Sequence, residues 1–364
     1  MNKDTPRVFI AATRQNDGKT TSSLGLMAAL QKHYKKIGYI KPVGQRFVQV
    51  AENKIDEDTV LMDKVYGLDC PLSEMSPIAV EPDFTRKYLD GRNYDKLVTR
   101  IQGAFDRVAW EKKFVLCEGS GHAGVGSVFD LSNARVAKIL GAKAIIVSMG
   151  GIGRPIDEVA LNQALFEKEG VEIIGVIINK VLPDKLDYIR EFTEKGLKRK
   201  GLKLLGVLPH HPILTNPSMR SIQEELNSDV MNSDAQLDNL VEDVVLGAMS
   251  VGNAMAHFKK GVLLITPGDR EDIITAAAAS LRGGECGQLS GMILTRCDDL
   301  APHLRGVIDS LPYPVLCSKK DSYKVASKVH DLIVKTRPAD TQKIDVIRDM
   351  ISEHVDVKSI LKAL

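Results

Sequence analysis

Apolar runs of strand length alternate with longer amphipathic stretches along most of the chain. The run Val8-Phe9-Ile10-Ala11-Ala12 leads into a predicted helix over residues 20–36. Further strands are predicted at 38–43, 114–118, 144–148, 173–179 and 203–208, with helices at 156–169 and 185–200. The runs are apolar without strict alternation, as expected of strands covered on both faces. Strands separated by helices predict a parallel sheet with right-handed crossovers.

The pattern changes over residues 217–260. A polar stretch, 227–236, precedes a predicted helix at 237–249. Alternation resumes with Val262-Leu263-Leu264-Ile265-Thr266, a helix at 271–281, a strand at 291–295, a helix at 302–310, a strand at 315–317 and a helix from 320. This predicts a small three-strand α/β unit, with one or two helices of the tail, 340–364, packing on it. A chain of 364 residues is long for one core. The expectation is a first domain over 1–217 and a second over 218–364. The fold class is α/β: a phosphate-loop (P-loop) parallel sheet with flanking helices, plus a smaller C-terminal α/β domain.

Composition narrows the function classes. Hydrophobic residues make up 44%, and 49 basic against 47 acidic residues leave a net charge of +2. That balance gives no general reason to expect a nucleic acid or an anionic membrane as partner. No targeting signal is visible, and the longest apolar runs have strand length, too short to span a membrane. The five cysteines, Cys70, Cys117, Cys286, Cys297 and Cys317, include no C-x-x-C pair. They read as reduced thiols of a cytoplasmic protein, with Cys117 and Cys317 in the core.

The strongest chemical signal is Ala12-Thr13-Arg14-Gln15-Asn16-Asp17-Gly18-Lys19-Thr20, which follows a strand and opens a helix. Backbone N–H groups of Thr13, Arg14, Gln15, Asn16, Asp17, Gly18, Lys19, Thr20 and Thr21 are candidates to cradle phosphate oxygens. Gly18 permits close backbone approach. Lys19 is placed to reach the β- and γ-phosphates, and the Thr20 hydroxyl to bind Mg²⁺. The pattern G-x-x-x-x-G-K-[ST] is incomplete, because Thr13 stands where its first glycine belongs. Arg14, five residues before Lys19, reads either as a solvated loop residue or as a cation within reach of transition-state charge.

Lys41 ends the second strand, where ligands of open α/β sheets gather. Asp56 and Asp58 begin an acidic helix start that the helix dipole alone would favour. Glu118 ends the third strand before Gly119-Ser120-Gly121-His122. An acid there suits Mg²⁺, which keeps several waters and takes only one or two carboxylates. His122, His210 and His211 match no strong ligand spacing and read as loop residues. Gly150-Gly151-Ile152-Gly153 lacks dinucleotide-loop spacing.

These residues resemble a known family. The loop, Lys41-Pro42-Val43, Glu118-Gly119-Ser120-Gly121, Asn179 in Gly175-Val176-Ile177-Ile178-Asn179-Lys180, and Gly206-Val207-Leu208-Pro209 look like dethiobiotin synthase. The resemblance implies ATP held by Lys19, Mg²⁺ held by Thr20, Asp58 and Glu118, Lys41 near the reacting carbamate, and Asn179 beside adenine. The second half, with Gly268-Asp269-Arg270-Glu271-Asp272 and Gly291-Met292-Ile293-Leu294-Thr295, resembles the DRTGG domain. The namesake Thr-Gly-Gly reads Thr295-Arg296-Cys297 here. The order of the two domains is similar to the N-terminal and middle parts of long-form phosphate acetyltransferases.

Three functions follow as expectations. The first is an ATP- and Mg²⁺-binding regulatory protein or slow ATPase, with Lys19 and Lys41 as its catalytic residues and a small-molecule site or homo-oligomer contact in the DRTGG-like domain. The second is an ATP-dependent ligase of the dethiobiotin synthase type. The third is a non-catalytic partner of an acetyltransferase. The acetyltransferase domain is not in the sequence, so acetyl phosphate synthesis is not expected of it.

Overall fold

The computed structural model describes all residues except 233–235, 282–288 and 333. Two compact units emerge: Met1–His210 together with Thr336–Leu364, and His211–Lys335. The first unit holds strands β1 Arg7–Ala12, β2 Ile37–Ile40, β3 Val43–Gly44, β4 Phe47–Val50, β5 Asn53–Asp56, β6 Ile78–Ala79, β7 Phe114–Glu118, β8 Lys143–Met149, β9 Ile173–Val181 and β10 Leu204–Pro209. Its main sheet runs β10-β9-β8-β1-β7-β2, and every pairing in it is parallel. All of β1 and β7 is buried, which is why their sequences are apolar without alternation. Strand β1 lies between β7 and β8, and successive strands are added on opposite sides of it. The strand order therefore reverses beside β1, and in open α/β sheets the carboxyl edge at such a point is where ligands bind.

Helix Lys19–Gln31 follows β1 and is apolar around most of its circumference. Leu24, Gly25, Leu26, Met27, Ala29 and Leu30 are all buried. A helix of that kind needs cover on more than one side. The cover comes from helix Thr341–His354 of the tail: a Cβ on Gly25 would fall 2.2 Å from Ile351 Cγ1. Just after that helix, Val355 bridges Gly206 in β10, and the Asp356 N–H donates to the Leu205 carbonyl at 2.8 Å. The expectation that 340–364 packs on the second domain is therefore corrected. Buried Ile347 and Ile351 give this segment an apolar stripe that completes the first unit.

The second unit contains β11 Asp229–Val230, β12 Asp243–Leu246, β13 Val262–Pro267, β14 Gly291–Thr295 and β15 Val315–Ser318. Their order is β11-β15-β14-β13-β12, parallel except for the antiparallel pair β11–β15. Among the described residues five strands replace the expected three. The predicted helix at 237–249 is corrected as well. Val244-Val245-Leu246 pairs alongside Leu263-Leu264-Ile265, and the β-branched pair favours that extended form.

Cys297 and Cys317 form a disulfide, which corrects the all-thiol expectation. In register Leu294 faces Cys317, and the turn after β14 brings Cys297 to a Cα separation of 5.6 Å from it. Cys117 is a buried thiol, as expected, and Cys286 lies outside the described residues. Among the described residues no helix is long and apolar enough to cross a membrane.

Candidate functional site

The loop from β1 to helix Lys19–Gln31 is tied from within. Thr13 Oγ1 donates to Asp17 Oδ2 at 2.6 Å, and the Arg14 N–H donates to the same oxygen at 2.7 Å. Thr13 also lies 3.0 Å from Ser148 Oγ at the end of β8. Thr13 thus fills the missing glycine's position with a hydroxyl that fixes Asp17. Burial raises the Asp17 carboxyl above its ordinary range, against the opposing hydrogen bond from Thr13. Asn16 and Gly18 take left-handed backbone conformations, φ 67° and 104°. Asparagine and glycine are the residues that tolerate this region best.

The loop is also braced from below. The Asn179 amide donates to the Asp17 carbonyl at 2.9 Å, and Lys180 Nζ donates to the Asn16 carbonyl at 2.8 Å. A Cβ at Gly18 would fall 2.0 Å from Asn179 Nδ2, so only glycine lets the Asn179 side chain lie this close beneath the loop backbone. Asn179 is buried and its amide is committed to the loop.

Ahead of the loop, side chains from five elements converge: helix Lys19–Gln31, β2, β5, helix Glu57–Tyr66 and β7. Thr20 Oγ1, in the first turn of its helix, donates to Glu118 Oε1 at 3.0 Å. Tyr39 Oη, from β2, donates to Glu118 Oε2 at 3.1 Å. Lys41 Nζ pairs with Asp56 at 3.1 Å, with Asp58, and with Glu118 at 3.7 Å. Asp56 also caps helix Glu57–Tyr66, accepting from the Asp58 N–H at 3.0 Å. Glu118 is fully buried and Lys41 nearly so. Burial alone would lower the Lys41 ammonium, but Asp58, Asp56 and Glu118 outweigh it and hold it charged. Burial raises Glu118, with Lys41 opposing. Lys19 is pulled down to about 8 by burial, opposed by Glu118.

The turn that carries Glu118 is held by Asn133. Its Oδ1 accepts from the Ser120 N–H at 3.0 Å, and its Nδ2 donates to the carbonyls of Ser120 and His122 at 2.6 Å each. Ser120 Oγ donates to the Val43 carbonyl at 2.5 Å.

Lys19, Thr20, Lys41, Asp58 and Glu118, chosen from sequence, therefore meet in space. Arg14, Gln15 and Asn16 point outward, and Arg14 pairs with Glu158. Thr21 follows Thr20 in the first helical turn, half-buried. Tyr39, Asn133, Ser148 and Lys180 escaped sequence reasoning. A tyrosine inside an apolar strand was the one signal present for Tyr39. The oxygen-only set of Thr20, Asp58 and Glu118 has the hard-donor chemistry that suits Mg²⁺. Among the described residues no three His, Cys, Asp or Glu side chains could hold a metal ion by themselves. A metal here would need further ligands, such as phosphate oxygens and water.

Comparison with known proteins agrees with this architecture. The chain is 27% identical over 360 residues to a phosphate acetyltransferase of Nitratidesulfovibrio vulgaris, covering 96% of this chain and 50% of that protein. It is 29% identical over 368 residues to a phosphate acetyltransferase of Pseudomonas aeruginosa, covering 96% of this chain and 50% of that protein. The chain thus spans about half the length of these relatives. Among solved structures, the MinC:MinD cell division protein complex of Aquifex aeolicus is 17% identical, with a TM-score of 0.36, covering 58% of this chain and 83% of that one. Residues 221–332 match the DRTGG domain. Residues 6–218 match the AAA domain, and the chain belongs to that family, its phosphate-loop domain being followed by a DRTGG domain.

Proposed function

We propose that the first unit binds ATP with Mg²⁺ and serves as a regulatory nucleotide-binding module or slow ATPase. It would be related to the parts of phosphate acetyltransferases that precede acetyl transfer. The observation that carries this reading is the 3.0 Å hydrogen bond between Thr20 and Glu118. These residues lie 98 positions apart, yet they stand together directly ahead of a loop whose N–H groups suit phosphate. In this reading Lys19 meets the β- and γ-phosphates, and Thr20, Asp58 and Glu118 hold Mg²⁺ directly or through water. The base lies on the side of Asn179 and Lys180. When bound, Mg²⁺ would neutralise phosphate charge. The chain's own residues orient the nucleotide and keep bulk water from Glu118. Substituting Glu118→Gln should reduce the Mg²⁺ dependence of ATP binding at least tenfold. Unchanged metal dependence in a folded variant would make Glu118 purely structural.

A ligase of the dethiobiotin synthase type draws less support. That chemistry needs Lys41 at a carbamate, and Lys41 is committed to three carboxylates. We assign the DRTGG unit to ligand binding or self-association in a cytoplasmic protein. Strand β12 ends the sheet order with Val244 and Leu246 exposed, and an apolar edge favours pairing with a second copy. Light scattering should give a dimer or larger species, and Val244→Lys should weaken it. A monomer at micromolar concentration would remove the self-association reading.

A further inference from the structure

The position of Lys41 bears on how a metal could reach this site. Its ammonium stands among Asp56, Asp58 and Glu118, two of which are the carboxylates a bound Mg²⁺ would use. Buried carboxylates need a counter-charge. Lys41 supplies it from within the chain, and Lys19 adds a second cation that feels Glu118 and Asp58. Two ammoniums against three carboxylates leave little net charge to attract a bare divalent cation. A metal already bound to a triphosphate meets a different balance, because the phosphates bring negative charge for Lys19 and supply the missing metal ligands.

Resting on the nucleotide-binding reading, we infer that Lys41 is an internal counter-cation. It occupies the metal-binding carboxylates of the free protein, so the divalent cation enters only as its nucleotide complex. This gives Lys41 a positioning role, setting the order of binding, in place of the expected contact with a reacting group. The inference concerns the free protein, so it can be tested without nucleotide.

The experiment titrates Mn²⁺ alone, at pH 7, into the full chain and follows free Mn²⁺ by electron paramagnetic resonance. The wild-type protein should bind Mn²⁺ only weakly, with millimolar affinity. Lys41→Met should gain one site at least tenfold tighter, and adding Glu118→Gln should abolish that gain. Lys41→Arg, which keeps the charge, should match wild type. Lys41→Gln, which keeps a donor for the carboxylates, provides the same test if the methionine variant does not fold by circular dichroism. Tight Mn²⁺ binding by the wild type, or no gain in either folded neutral variant, overturns the inference. Failure of the wild type to bind ATP would instead remove the nucleotide reading and leave the Mn²⁺ result to stand separately.

Discussion

Asn179 lies directly beneath Gly18, its amide donating to the Asp17 carbonyl at 2.9 Å. The end of β9 therefore sets the height of the phosphate loop. Asn179→Ala removes a buried hydrogen bond and should cost about 1–3 kcal/mol of stability. It should also weaken ATP binding by loosening the loop. Gly18→Ala should be worse for binding, since the new Cβ meets Asn179 at a left-handed backbone position. Urea denaturation and nucleotide titration check both. Wild-type affinity in Gly18→Ala would show that the brace does not shape the loop.

Gly25 and Ile351 make helix Thr341–His354 part of the first unit. Ile351→Ala opens a cavity against the phosphate-loop helix and should cost roughly 2–5 kcal/mol. Gly25→Ala forces a methyl into occupied space and should cost roughly 1–3 kcal/mol. Calorimetric unfolding should show the loss in the transition that nucleotide stabilises. A loss confined to another transition would contradict the assignment of 336–364 to this unit.

The fold was legible in sequence where the physics is local. Strand β1, the loop and Glu118 stood out because an apolar run, a Gly-Lys-Thr turn and an acid at a strand end each carry their own signal. The tail was misplaced because its apolar stripe names no partner. Only the all-round burial of helix Lys19–Gln31 shows what it covers. Residues 237–249 contain enough apolar positions for a helix, and parallel pairing with β13 decided for a strand. The grip of Asp56, Asp58 and Glu118 on Lys41 joins residues far apart along the chain, and no spacing rule reveals it.

Cysteine labelling tests both units. Cys297 and Cys317 should resist iodoacetamide until a reductant is added. Burial pushes the Cys70 thiol up to about 11 and Cys117 up to about 12. Only the thiolate reacts, so Cys70 alkylation should be slow at pH 7 and rise about tenfold per pH unit up to pH 10. Intact-mass spectrometry follows both effects. Immediate labelling of Cys297 and Cys317 without reductant would contradict the disulfide.

In the nucleotide-binding reading, the loop around Lys19 holds the phosphates of ATP·Mg²⁺. Isothermal titration of ATP·Mg²⁺ into wild-type protein and Lys19→Ala decides it. The wild type should bind, and binding should weaken at least tenfold in the variant, about 1.4 kcal/mol or more. Equal affinity in both proteins, or no binding to the wild type, would contradict it.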